Sequence, residues 1–300
     1  QILSMVGSRD FNDDKINGKY NVAILGRRQP GSSLKPFIYL AAFDKGYTPE
    51  TVIYDVKTDF GQNSSKSYIP KNYTGQEYGL VTMRKALQGS LNITAVKTLY
   101  LVGVDKMIKL AMEKFGYTTF TGDYGLSLVL GGAEVTLMEH TTAYGALANE
   151  GKYNKPITIL KVENNKGTEI YQAPKPKNER AVDKNTVAIL DSILTDDPSR
   201  AYIFGANSQL TLPGRPVAVK TGTTDDSKDA WTMGYTPSLV AGVWVGNTLP
   251  APMSGGGSML ATPIWNRFMR ESLDKTAVEE FPKPEKKEVN IPFLNGENGG

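Results

Sequence analysis

The chain of 300 residues contains no cysteine and a single histidine, His140. A thiol nucleophile is therefore impossible, as are zinc sites built from cysteines or from several histidines. A Ser-His-Asp triad has only His140 to draw on. That residue lies in Glu134 to Ala148, which reads as an amphipathic helix, and a polar helix residue with no catalytic part is the simpler reading. A serine nucleophile here points instead to a lysine base. Long apolar runs are also missing: Leu239 to Val245 falls far short of the ~20 residues a membrane helix needs. The net charge is +3 with no dense Lys/Arg stripe, so a nucleic-acid footprint is not indicated. At 40% hydrophobic and 22% charged, the composition is that of a globular chain with ample core. It starts at Gln1 and reads as an excised portion of something longer, so the absent anchor says little about location.

Along the chain, Ile2 to Val6 reads as a strand running into a loop. Residues 33 to 46 read as a helix with an apolar side of Leu34, Phe37, Ile38, Leu40, Ala41 and Ala42. The Tyr-, Pro- and Gly-rich stretch Tyr47 to Gly79 reads as a long loop, which in a compact domain is usually functional. Helical segments Val81 to Leu87 and Thr94 to Leu101 flank Ser90, and Asp105 to Phe115 and Glu134 to Ala148 follow as helices. Ile157 to Val162 and Glu169 to Gln172 read as a strand pair, and Asp183 to Leu194 as a helix capped by Asp183. Three strands come next, Val217 to Thr221, Ala230 to Tyr235 and Leu239 to Asn247, the last two joined by a tight turn. Thr262 to Leu273 is a closing helix. Strands early and late around a helical block predict an α+β fold with an antiparallel sheet. Residues 281–300 read as a Pro/Lys/Gly-rich tail after one domain over 1–280.

Three short strings carry the chemistry: Ser32-Ser33-Leu34-Lys35, Ser90-Leu91-Asn92 and Lys220-Thr221-Gly222-Thr223-Thr224. In this order they read Ser-x-x-Lys, Ser-x-Asn and Lys-Thr-Gly, the signature of enzymes that attack acyl-D-amino acids with a lysine-activated serine. Singly each is cheap. A second Ser-x-x-Lys, Ser272-Leu273-Asp274-Lys275, ends the closing helix in a charged setting and is set aside as a decoy. Ser32 and Lys35 share one helix face at about 5–6 Å between Cβ atoms. Pro36 lacks an N–H and belongs in a first turn, which pins Ser32 to the helix N-terminus, where orphan amides favour negative charge. Lys35 must shed its proton to act as base; burial and a neighbouring cation such as Lys220 both favour that. Ser90 offers a proton relay, and Asn92 an amide to bind substrate or steady Lys35; helix punctuation, with Asn92 as a cap, explains the pair equally well. At Lys220 to Thr224, Gly222 admits a close backbone, and the lysine and threonines suit a substrate carboxylate. A peptide paired on that strand edge would face a carbonyl to the Thr223 amide, although a strand ending in a turn accounts for the string as well.

At these residues the chain resembles the penicillin-binding proteins, specifically the transpeptidase domain of the bifunctional (class A) peptidoglycan synthases. Arg28-Gln-Pro-Gly-Ser-Ser-Leu-Lys-Pro-Phe, Tyr68-Ile-Pro-Lys-Asn-Tyr, Val81-Thr-Met-Arg-Lys-Ala-Leu and Leu130-Gly-Gly-Ala-Glu-Val-Thr carry the likeness. So do Asp229-Ala-Trp, Gly234-Tyr-Thr-Pro and Pro263-Ile-Trp, and the likeness runs from about residue 1 to 275. It implies a five-stranded antiparallel sheet flanked by helices, with a mainly helical subdomain and a first strand lying ahead of Gln1. It further implies Ser32 as the acylated nucleophile, Lys35 as its base, Ser90 as proton shuttle and Asn92 as a ligand of the substrate amide. Lys220, Thr221 and Thr223 would hold the carboxylate end, beside Gly222, and the Ser32 and Thr223 amides would form the oxyanion hole. Implied partners are D-Ala-D-Ala stem peptides as donors, amine acceptors, and β-lactam antibiotics. No cofactor or metal is implied. A glycosyltransferase domain and membrane anchor would precede this segment, at the extracytoplasmic face of the bacterial plasma membrane. The rivals are a D,D-carboxypeptidase or β-lactamase on the same scaffold and a non-turnover β-lactam sensor. No glutamate of the kind that activates a deacylating water is identifiable, and the stretch from Tyr68 to Gly79 favours the synthase.

Overall fold

The computed structural model of the protein describes residues 1–61, 67–205, 208–285, 289 and 291–296. Residues 62–66 of the expected long loop and residues 286–288, 290 and 297–300 of the expected tail lie outside that set. The first segment corrects the sequence reading. Ile2 to Val6 forms no strand; its Leu3, Met5 and Val6 are exposed, and Ile2 N donates alone to Ile157 O. A short apolar run makes a strand only where a neighbour supplies the ladder. The chain then turns through α1 (Val22–Leu25), capped by the Asn21 side chain on Ala23 N.

A 3₁₀ turn, Gly31–Leu34, leads into α2 (Lys35–Asp44), so the expected helix starts two residues later and on a tighter turn. Pro36 occupies the first helical turn as anticipated. Residues Lys35 to Phe43 are all buried, which makes α2 the central helix of the domain rather than an amphipathic one. The stretch read as loop holds a strand: β1 (Val52–Asp55) pairs antiparallel with β2 (Gly79–Thr82). The latter takes the first two residues expected to begin α3, which spans Met83–Gln88 and is capped by Thr82. Next come α4 (Asn92–Val102), α5 (Val104–Phe115) and α6 (Leu137–Ala148). Thr136 caps α6 in a reciprocal box with Glu139, so the helix starts three residues later than its periodicity suggested. Four short strands follow: β3 (Lys152–Tyr153), β4 (Lys161–Glu163), β5 (Glu169–Gln172) and β6 (Glu179–Arg180). β4 pairs with β5 as an exposed hairpin, and β3 with β6.

After α7 (Lys184–Leu194), capped by Asp183, and α8 (Asp197–Phe204), the chain builds its main sheet. β7 (Ala218–Thr223), β8 (Asp229–Tyr235) and β9 (Val240–Gly246) are antiparallel in the order 7-8-9. α9 (Gly257–Leu273) closes the fold; it begins five residues before the expected start and carries Pro263 inside. The class is α+β as expected, but among the described residues the main sheet has three strands, since Ile2 to Val6 does not join it. Strand alternation sorts the core into two clusters. Trp231, Met233 and Tyr235 of β8 pack with α2 and α6 residues, while Val219 and Ala241 pack with Trp265 and Met269 of α9. The Lys220 position on β7 therefore shares a face with Ala218, on the α2 side.

The α6 cap yields a test of this framework. Thr136→Ala should cost about 1 kcal/mol, read as a melting point lower by roughly 2–4 °C, while Thr136→Ser should lose little. Equal melting points for Ala and wild type would refute the cap's contribution.

Candidate active site

The three strings converge. Lys35, at the start of α2, is fully buried, and its Nζ donates to Ser90 O at 2.6 Å, Asn92 Oδ1 at 2.7 Å and Leu91 O at 3.2 Å. Its distance to Ser90 Oγ is 3.5 Å. From β7, Lys220 Nζ donates to the same Ser90 Oγ at 2.8 Å and to Thr221 O at 2.9 Å. One serine hydroxyl thus stands between two buried lysines. Burial pushes the Lys35 amine well below its ordinary range, the Lys220 charge adds to this, and Asp55 opposes it. Lys220 is pulled down to about 7 by burial first and by the Arg200 guanidinium second. Ser90 holds its position through a left-handed backbone, with φ +55°, a conformation a non-glycine residue adopts only where its surroundings fix it.

Ser32 is the half-exposed member of a turn whose other three residues, Gly31, Ser33 and Leu34, are buried. Among the described residues, none of the Lys35 Nζ hydrogen bonds reaches Ser32 Oγ. Such contacts commonly tighten only when substrate binds. The turn is pressed against β7 by glycines. A Cβ on Gly31 would strike the Thr223 carbonyl, and one on Gly222 would strike the Pro30 carbonyl. A Cβ on Gly131 would lie 2.8 Å from Gly31 N, so the Leu130-Gly-Gly string supports the turn from the far side. Trp231 Nε1 donates to Gln29 O at 2.8 Å and fastens the preceding residues to β8.

β7 is the edge strand of its sheet, and its unpaired side runs beside the Ser32 turn. By alternation Lys220 and Gly222 face the turn, whereas Thr221 and Thr223 project to the α9 side. Thr223 Oγ1 accepts from Gly257 N at 3.0 Å, which leaves its proton available to a ligand. Asn92 is the first residue of α4 rather than its cap. The capping is done from a distance: Asn72 Oδ1 accepts from Asn92 N at 2.7 Å, and Asn72 Nδ2 donates to buried Asp55 Oδ2 at 2.6 Å. Asn92 Nδ2 in turn donates to Lys71 O at 2.7 Å. The sequence reading missed Asn72, Asp55 and Arg200 as parts of this arrangement. Only the Tyr68-Ile-Pro-Lys-Asn-Tyr string hinted at the first. The decoy Ser272 and Lys275 are exposed, remote from these residues at the end of α9.

Comparisons with known proteins point to one family. The family profile of the penicillin binding protein transpeptidase domain matches residues 1–270. The chain is 36% identical to penicillin-binding protein 1A of Aquifex aeolicus, over 97% of this chain and 39% of that protein. It is 31% identical to penicillin-binding protein 1A of Pseudomonas aeruginosa, over 94% and 40%. The chain thus spans about two fifths of the length of these curated relatives. Among solved structures, penicillin-binding protein 1A from Haemophilus influenzae superposes with a TM-score of 0.81 at 26% identity, covering 95% of this chain and 48% of that one. PonA1 from Mycobacterium tuberculosis in complex with penicillin V gives 0.77 at 26%, covering 89% and 74%.

The lysine burial predicts a pH dependence of stability. Lys220 has a folded pKa near 7 against an unfolded value near 10.5. Between those limits the unfolded chain binds more protons, so wild-type stability gains with rising pH over that window. Lys220→Met removes this gain: in urea unfolding, the stability of wild type relative to the variant should rise from pH 7 to pH 10. A difference that stays flat over that range would show that Lys220 titrates normally.

Proposed function

We propose, on the premise that the chain belongs to the penicillin-binding protein transpeptidase family, that it is a serine D,D-transpeptidase acylated at Ser32. The observation that carries this reading is the half-exposed Ser32, seated beside the unpaired edge of β7 and next to the lysine–serine–lysine cluster. An extended D-Ala-D-Ala stem peptide adds to β7 as a further strand, its carboxylate near Lys220, Thr221 and Thr223 beside Gly222. Its amide meets Asn92, and its scissile carbonyl oxygen lies between the Ser32 and Thr223 amides.

Lys35 in its neutral form accepts the proton of Ser32 Oγ as that oxygen bonds to the carbonyl carbon. Collapse of the tetrahedral intermediate breaks the C–N bond, and D-Ala leaves with a proton delivered through Ser90 from the lysine pair. The remaining ester is attacked by an amine of a second stem peptide, which releases Ser32 and forms the cross-link. A β-lactam carbonyl acylates Ser32 by the same first step. Residues 1–280 form the transpeptidase domain and 281–300 a tail. A glycosyltransferase domain and anchor belong to the longer protein, whose place is the extracytoplasmic face of the bacterial plasma membrane. Among the described residues, no helix is long and apolar enough to cross a membrane.

Fluorescent penicillin should label the wild type in a bond that persists for hours, and Ser32→Ala, shown to be folded by circular dichroism, should not label. With a D-Ala-D-Ala peptide and an amine acceptor, D-Ala release should match amide formation. Labelling of Ser32→Ala would displace the nucleophile; rapid release of hydrolysed drug would make the protein a hydrolase.

A further inference from the structure

The single histidine lies directly behind the nucleophile turn. His140 is fully buried on α6, against the rings of Phe37, Tyr144 and Trp231. Both ring nitrogens are engaged: Nδ1 is 2.6 Å from Tyr117 Oη, and Nε2 is 2.8 Å from Ser33 Oγ. The direction of each bond follows by elimination. Ser33 Oγ carries one proton, which it donates to the Pro30 carbonyl at 2.6 Å, an oxygen that can only accept. Ser33 Oγ must then accept from His140, so Nε2 bears the imidazole proton. A neutral imidazole in that tautomer has a bare Nδ1, which accepts from Tyr117 Oη. Burial keeps the ring neutral, pulling its pKa down to about 3.

Ser33 is held at a second point, because Tyr144 Oη on the same helix donates to its carbonyl at 2.6 Å. On its other side Ser33 meets β7: a Cβ added to Gly222 would lie 3.0 Å from Ser33 Oγ and 3.1 Å from Ser33 Cβ. The residue next to Ser32 is thus wedged between α6 and the Lys-Thr-Gly strand. We infer that His140, as the Nε2–H tautomer, is a positioning residue that seats Ser33 against Gly222 and so fixes Ser32 in register with Lys220 to Thr223. The inference rests on Ser32 being the nucleophile of the proposed function. It adds that the chain from Tyr117 through His140 and Ser33 to Pro30 sets where that nucleophile stands.

Two measurements on the full chain test it. The protein has one histidine, so nitrogen-15 NMR reads a single imidazole. The Nε2–H tautomer is expected, unchanged from pH 8 to pH 5; an Nδ1–H tautomer or an imidazolium at pH 6 overturns the bond chain. The second arm is a double-mutant cycle of His140→Leu and Ser33→Ala, read as the rate constant for acylation by fluorescent penicillin. Each single variant should slow acylation about ten- to hundredfold without lowering the fraction of protein that finally labels. The double variant should be no slower than the slower single one, since both break one linkage. His140→Gln, which keeps an N–H toward Ser33, should recover most of the rate and replaces His140→Leu in the cycle if that variant does not fold. Additive losses, or a smaller labelled fraction at an unchanged rate, overturn the inference and leave His140 a packing residue. A wild type that labels elsewhere than Ser32 refutes the nucleophile assignment instead, while the tautomer measurement still decides the bond chain.

Discussion

Two lysines are buried around one serine hydroxyl, and neither can hold a full charge cheaply while the other does. Removing an ammonium from water costs several kcal/mol even after the protein relaxes, and the Lys220 charge, on the other side of Ser90 Oγ, adds to that cost for Lys35. The surrounding fold supplies what offsets this. Carbonyls of Ser90, Leu91 and Thr221 and the Asn92 amide oxygen receive the N–H groups. Asp55 stands behind Lys35, and Arg200 behind Lys220, so the two lysines feel opposite remote charges. Asp55 favours a charged Lys35 and Arg200 a neutral Lys220, so the role of Lys35 as proton acceptor rests on its burial and on the Lys220 charge, against these remote charges.

The same economy governs the nucleophile turn. Its contacts with β7 are contacts of backbone with backbone, made possible where Gly31 and Gly222 carry no side chain. Gly31 also needs its positive φ of 54° to make the turn. A turn so close to a strand admits little play, and the half-exposed Ser32 is left as the one side chain of its 3₁₀ segment that a substrate can reach. α6 presses on this turn from behind with buried His140 and Tyr144, and α2, buried from Lys35 to Phe43, carries Lys35 away from it.

Much of this was legible before any coordinates. Pro36 placed Ser32 at a helix start, the tight turn at 236–238 announced the β8–β9 hairpin, and Asp183 announced α7. The three strings named Lys35, Ser90, Asn92 and Lys220, which meet at one point, but not Asn72, Asp55 or Arg200 around them. The remainder depended on partners distant in sequence. β1 hides in a Tyr/Pro/Gly-rich stretch because four residues form a strand only when Gly79–Thr82 arrives to pair with them. Ile2 to Val6 is apolar enough for a strand, but its one backbone bond, from Ile2 N to Ile157 O, builds no ladder. Asn72 caps α4 from twenty residues away, a contact no local window can display. His140 looked like an idle polar residue because its meaning lies in Ser33, 107 positions earlier.

The account stands or falls on one lysine being neutral and the other charged while Ser32 is acylated. The pH profile of the acylation rate constant, followed with a fluorescent penicillin from pH 5 to pH 10, tests this directly. The account predicts a bell, its rising limb well below the range of an ordinary lysine as Lys35 gives up its proton and its falling limb set by Lys220, which burial pulls down to about 7. A rate that keeps climbing to pH 10, as an ordinary lysine base would give, would contradict it.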